Sequence, residues 1–277
     1  MTPSVSVAPY QVRTHNASTQ SENRMHSDDV ARQFGFNGGL VPGVTVFAHM
    51  TQPLVARYGD AWLARGTADV RFSKPAYEGE LLSIGSADAS DGMHALTCVN
   101  EQGVELARMS ASLPAASAKP DPRGDIPPAP PLAERPTVTW DLMAINQPFP
   151  ALAWSPTREE NREWCADVRD ALPLYRDGDA PLLHPGLILR QANFVLRKRF
   201  VIPAWIHAAS RITFFAPLRA GSGYEVRAIP EEKWNHKGHE FVRLFVAVRS
   251  ADHSGRTVAE IIHTAIFRPR VREAGAQ

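Results

Sequence analysis

The sequence predicts an α+β protein made of two copies of one unit, each a long central helix wrapped by a curved antiparallel sheet. Three observations carry this. The chain is written twice: Glu22-Asn23-Arg24, then Leu40-Val41-Pro42-Gly43, then Phe72, Pro75 and Gly79 return as Glu160-Asn161-Arg162, Leu183-His184-Pro185-Gly186, Phe214, Pro217 and Gly221. Pro42 to Pro75 is 33 residues and Pro185 to Pro217 is 32, and the unit that carries this spacing is about half the chain, too long for a solenoid repeat and suited to a duplicated small domain. Each copy passes from a helical period to a period of two, and a proline-rich break separates the copies.

In chain order, Ser27 is placed to cap a short helix beginning Asp28-Asp29-Val30-Ala31, with carboxylates at its positive end. Phe34 to Gly39 breaks it. Pro42 then starts a long helix whose apolar face is Val44, Phe47, Ala48, Leu54 and Val55, with Pro53 placed to kink or end it. Strands follow over Ala95 to Val99 and Val104 to Leu113, joined by a turn at Asn100 to Gly103. Proline lacks the backbone donor and fixes φ, so the run from Pro114 to Pro136 reads as an extended linker that could cross a domain surface. The units are then 1–113 and 137–277, with linker 114–136.

The second copy repeats the order. A helix begins at Pro185 and carries Leu187, Ile188, Leu189, Ala192, Val195 and Leu196, apolar enough to be mostly buried. In Phe241 to Arg249 the residues Val242, Leu244, Val246 and Val248 share one face, as a half-buried strand requires, and Arg243 and Arg249 face away. Asp252-His253-Ser254-Gly255-Arg256 signals a turn, and Thr257 to Phe267 is the returning strand.

Composition excludes several classes. Thirty basic against twenty-nine acidic residues leave a formal charge of +1, which gives no bulk electrostatic argument for nucleic acid or membrane. The amino-terminal segment Met1 to Gln20 is polar, and no run approaches the roughly 20 apolar residues of a membrane span, so a cytoplasmic protein is expected. Cys98 and Cys165 lie far apart and make neither a disulfide framework nor a metal pair, and no metal is expected. Gly-x-Ser-x-Gly, phosphate-loop and dinucleotide patterns are missing, which disfavours serine hydrolysis and hydride transfer.

Asn23-x-x-His26-x-Asp28-x-x-Ala31, Gly35-Phe36 and Gly39-Leu40-Val41-Pro42-Gly43 resemble the start of MaoC-like hotdog proteins, R-specific enoyl-CoA hydratases among them. The similarity continues through Phe72-x-x-Pro75-x-x-x-Gly79, Trp205-Ile206-His207, Trp234-x-x-Lys237-Gly238-His239-Glu240-Phe241-Val242 and Ile262-His263-Thr264. The resemblance implies two fused hotdog domains whose sheets join into one. It also implies water addition to, or removal from, an α,β-unsaturated acyl-CoA or acyl-carrier thioester. Coenzyme A would enter as part of the substrate and no separate cofactor is implied. A homo-oligomer is left open as a partner state.

In that reading the catalytic residues are His26 as acid and base, Gly43 as amide donor to the thioester oxygen, and Asn23 as a positioning group. Val41, Pro42, His184 and Gly186 are expected to contact substrate. A helix-start N–H suits developing enolate charge because it is unpaired within the helix and sits at the positive end of its dipole. Only the first copy carries the histidine, since Trp164 stands three residues after Asn161. The pattern Asp-x-Asn-x-x-His is broken, because Ser21 occupies the carboxylate position. A thioesterase and a non-catalytic acyl-thioester-binding protein therefore stand as alternatives. Plainer readings also stand: a capping role for His26, tight packing for Gly43 and Gly186, turn roles for Asn23 and Asn161, a loop-fixing role for His184, a core place for His49, and helix-end complementation by Arg197-Lys198-Arg199.

Overall fold

The computed structural model describes residues 9–89, 92–252 and 254–271. Ten strands form one sheet: β1 Tyr10–Arg13, β2 Thr67–Phe72, β3 Leu81–Asp88, β4 Met93–Asn100, β5 Glu105–Ser112, β6 Leu152–Trp154, β7 Ile206–Phe214, β8 Tyr224–His236, β9 His239–Ser250 and β10 Thr257–Arg268. Their order is β1-β3-β4-β5-β2-β7-β10-β9-β8-β6, and every pairing between neighbours is antiparallel. The first five strands of that order come from one copy and the last five from the other. They meet where β2 pairs with β7, from Thr67 opposite Thr213 to Arg71 opposite Ala209.

Period-2 patterning sets the inner face. Ala68 and Val70 on β2, Leu82 and Ile84 on β3, Leu96 and Cys98 on β4, and Val242, Leu244, Val246 and Val248 on β9 are all buried. The helices are α1 Asp28–Gln33, α2 Gly43–Tyr58, α3 Asp60–Arg65, α4 Arg158–Asp167 and α5 Pro185–Arg199. The two long ones, α2 and α5, lie against the sheet and against each other. α2 passes through Pro53 and runs to Tyr58, so the helix does not end at the proline. A proline removes one backbone bond, and the burial of Leu54 and Val55 outweighs that loss.

Close approach of the helices depends on Gly186. A Cβ there would lie 2.9 Å from the Ala48 Cβ and 3.1 Å from the Val44 carbonyl oxygen, so only glycine lets α5 start so near α2. The proline-rich segment straps the outer face of β9. The Arg123 guanidinium lies 4.4 Å from the centre of the Phe245 ring, and Arg249 donates to the Gly124 carbonyl at 2.8 Å. This covering explains why Phe245 and Ala247, on the side away from the helices, are also buried.

Ser27 sits at the start of α1, but its hydroxyl donates back to the Arg24 carbonyl and does not cap the helix as expected. Cys98 and Cys165 are buried thiols in separate halves, both pushed up to about 12, first by burial. Residues 1–8 of the polar amino-terminal segment, and His253 of the turn before β10, lie outside the described residues. Among those described, no helix is long and apolar enough to cross a membrane.

Gly186→Val is expected to lower the unfolding free energy by about 1–3 kcal/mol, the usual cost of overpacking, because the obstruction includes backbone. Urea unfolding followed by circular dichroism checks this, with a reduced midpoint at an unchanged slope as the expected outcome.

Candidate functional site

A cavity of about 240 Å³ lies at the junction of the two copies. The first copy contributes Asn23, His26, Leu40, Val41, Pro42, Gly43 and the segment Phe72 to Ala76, and the second contributes Asn193 of α5, Trp205 to Ala208, His239 and Ile266. Its lining is mainly apolar, and among the described residues none that lines it is Asp or Glu. Lys74 is the lining residue with a permanent positive charge.

His26 ends a single 3₁₀ turn, Arg24–His26, capped by the Asn23 side chain. Its Nδ1 lies 2.7 Å from the Leu40 carbonyl oxygen, so Nδ1 carries the proton and donates. Nε2 lies 3.1 Å from Asn23 Nδ2, which can only donate, so in the neutral ring Nε2 is the acceptor. Burial pushes the His26 pKa below its ordinary value, against the opposing effect of the Leu40 carbonyl. The ring is thus neutral at pH 7, with one defined tautomer.

Asn23 clasps the second copy. Its Nδ2 donates to the Trp205 carbonyl at 2.9 Å, and its Oδ1 accepts from the Trp205 N–H at 3.1 Å. The side chain that holds His26 therefore also fixes the cavity wall opposite. Gly43 opens α2, and its N–H has no partner among the described residues, as the first helical position dictates. Pro42 precedes it and has no side chain able to cap.

Neither nearby carboxylate substitutes for the one missing at Ser21. The Ser21 hydroxyl donates to the Asn23 carbonyl at 3.2 Å and does not line the cavity. Glu22 turns outward to Arg135 and Arg197, and Arg135 above all holds its carboxyl down to about 2. Asp28 accepts from the Gly39 N–H at 2.8 Å and pairs with Arg32.

Two expected substrate contacts need correction. His184 and Gly186 are fully buried in the second copy and do not reach the cavity. The Gly186 N–H donates to His184 Nδ1 at 3.0 Å, so the amide corresponding to that of Gly43 is capped from within. His184 Nε2 then carries the proton and faces Asp170 Oδ2 at 3.3 Å. Trp164, at the position of His26, is buried and its ring centre lies 6.3 Å from that of His184. Asn161 holds this filled version together by donating to the Tyr175 and Leu182 carbonyls and accepting from the His184 N–H.

Val41 and Pro42 do line the cavity. His49 is a core residue, its Nε2 at 3.2 Å from the Thr14 hydroxyl. Of the basic run, Arg197 pairs with Glu22 and Arg199 lies over the Phe200 ring.

Residues that the sequence did not single out as site groups are Phe72, Asn193 and His207. Asn193 is buried and its Oδ1 has no partner. The helical period alone places Asn193 on the buried face of α5. His207 stood in a motif of the resemblance, but strand alternation did not place it in the cavity, because a register shift opposite Thr264/Ala265 turns it inward.

No family model and no curated protein sequence matches this chain. Solved structures do. A protein assigned as a MaoC-domain dehydratase from Chloroflexus aurantiacus J-10-fl is similar over 95% of this chain and 94% of its own, at 15% identity and a TM-score of 0.67. A Mycobacterium tuberculosis protein with a double hotdog fold is similar over 94% and 96%, at 16% identity and a TM-score of 0.61. A protein assigned as an oleoyl thioesterase from Lactobacillus plantarum is similar over 96% and 99%, at 10% identity and a TM-score of 0.51. The fold is therefore the double hotdog.

Burial of neutral histidines makes a pH prediction. His49 and His263 are held down to about 3, both chiefly by burial, against an ordinary value of 6.5. The unfolded chain binds the extra protons, so this stability is complete above pH 6.5 and is lost as pH falls towards 3. Between pH 7.5 and 5.5 each histidine is expected to cost on the order of 1 kcal/mol, measured as a fall in urea midpoint that is smaller in His263→Phe.

Proposed function

We propose that this protein binds a short acyl thioester in the junction cavity and adds water to, or removes it from, the α,β position. One observation carries the reading: a neutral imidazole and an unpartnered helix-start amide, His26 and Gly43, open on one largely apolar cavity. The thioester carbonyl takes the Gly43 N–H. Water attacks the β carbon and gives a proton to His26 Nε2. The electron pair moves to the thioester oxygen as an enolate, and the imidazolium then returns a proton to the α carbon. Water removal runs the same steps backwards.

Size limits the acyl group. At ~30 Å³ per water the cavity has room for about eight waters, enough for a thioester and a short chain. Lys74, exposed beside the cavity, is suited to an anionic group of the coenzyme or carrier. The similarity to structures assigned as dehydratases supports the fold-level analogy, and the chemistry rests on the site.

A second reading has its own support. The His26 Nε2 lone pair already accepts from Asn23, and the cavity contains no carboxylate to orient water. Such a site would bind the thioester without turning it over. Hydrolysis has weaker support, because the same site lacks a carboxylate nucleophile or base.

Incubation with trans-2-butenoyl-CoA separates these readings. Hydration is expected to remove the enoyl absorbance with the thioester intact, and His26→Ala is expected to slow this by about 10²–10⁴-fold, the usual contribution of acid–base catalysis. Release of free thiol would establish hydrolysis instead. Binding with neither change would establish the non-catalytic reading. Ser21→Asp is expected to give no gain, because position 21 faces the Asn23 carbonyl and not the cavity.

A further inference from the structure

A buried relay leads away from the cavity through the second copy. His207 Nε2 lies 2.8 Å from Ser210 Oγ, and Ser210 Oγ lies 3.0 Å from His263 Nδ1. The histidine rings lie 4.4 Å apart, and all three residues are buried. Ser210 shares the inner face of β7 with Ile212 and Phe214, whereas strict alternation would place His207 with exposed Arg211 on the other face. The register instead pairs Thr264 with Ala209 and Ala265 with His207, leaving Ala208 as an extra residue. That bulge turns His207 inward to line the cavity.

Two atoms of this relay have no partner: His207 Nδ1 and His263 Nε2. His207 Nδ1 lies beside Gly43, 2.9 Å from where a Cβ on that residue would sit. Which end carries the proton follows from cost. If His207 Nε2–H donated to Ser210, the hydroxyl would donate to His263 Nδ1. His263 Nε2–H would then be a buried donor without an acceptor, the kind of orphan that folded proteins rarely keep. In the reverse direction, His263 Nδ1–H donates to Ser210 and the hydroxyl donates to His207 Nε2, so the donor left over is His207 Nδ1–H instead; of the two it is the one on a residue that lines the cavity, where a ligand oxygen can accept from it. The proton at the cavity end then sits on His207 Nδ1, which packs beside Gly43.

We propose that His207 is a second donor to the thioester oxygen, acting with the Gly43 amide, and that Ser210 and His263 are positioning residues that hold it in the donating tautomer. This rests on the thioester reading above. It assigns the second copy a catalytic part: the first supplies the acid–base histidine and one donor, the second the other donor. Gly43 has a further reason to be glycine, because a side chain there would displace the His207 ring.

Three measurements test this. In the free protein, ¹⁵N spectra of the histidines at pH 7.5 are expected to show His207 protonated at Nδ1, and an Nε2–H tautomer would overturn the proposal. The infrared carbonyl band of butanoyl-CoA labelled with ¹³C at the thioester carbon, a probe that cannot be hydrated, is expected to shift down on binding. Part of that shift should be lost in His207→Ala and Ser210→Ala, regained in His207→Asn, which restores an N–H near the Nδ1 position, and kept in His26→Ala. In turnover, His207→Ala is expected to lower kcat by about 10²–10³-fold with little change in KM, as for loss of one such donor. An identical bound carbonyl band in wild type, His207→Ala and Ser210→Ala would overturn the assignment while leaving the thioester reading in place. Failure of the wild type to bind butanoyl-CoA would overturn both. Ser210→Ala, a minimal deletion, decides the matter should His207→Ala fail to fold.

Discussion

The antiparallel pairing of β2 with β7 is the constraint on which the rest of the structure depends. It joins two five-stranded half-sheets into one and so removes an open edge from each copy. It also brings the start of β7, with Trp205 just before it and His207 in it, against the start of α2 in the other copy. The cavity exists because these two places meet. Asn23 reinforces the junction from the first copy by holding both main-chain polar groups of Trp205.

The two copies use one local design for opposite ends. Each has an asparagine whose side chain satisfies main-chain groups, across the junction for Asn23 and within its own copy for Asn161, followed by a Pro-Gly helix start. Three residues after the asparagine, one copy has His26 facing a cavity and the other has Trp164 filling the equivalent space. Two residues before the glycine, Val41 leaves the Gly43 amide free, whereas His184 caps that of Gly186. A free helix-start amide is favourable only where a ligand or water can reach it, so the buried copy satisfies its own.

The cavity wall is uncharged apart from Lys74, and its imidazoles are held neutral by burial. In surroundings of low polarity, hydrogen-bond donors aimed at developing charge act strongly, while a buried carboxylate would carry a desolvation cost. The site as built therefore offers main-chain dipoles and neutral imidazoles where a carboxylate would be costly. Acid weakens such an interior, because His49, His207 and His263 are groups that the unfolded chain protonates more readily.

The sequence by itself determined the local elements and their duplication. Proline and glycine at 42–43 and 185–186 start the long helices, the period of two over 241–249 makes β9, and the proline run keeps 114–136 out of the sheet. These depend on contacts between near neighbours, which repeat in the chain as spacing. Asn23, His26 and Gly43 were legible as a group because they stand close together in one copy. Only the tertiary structure decided what surrounds them. His207 reaches the site through a bulge that breaks the alternation on which a strand reading relies, and Asn193 reaches it from a helix about 150 residues after Gly43. The sealing of His184 and Gly186 likewise depends on Trp164, Tyr175 and Ala48, whose positions follow from how α2 and α5 cross. Packing across the junction places these groups, and no spacing along the chain encodes which of two similar helix starts will be left open.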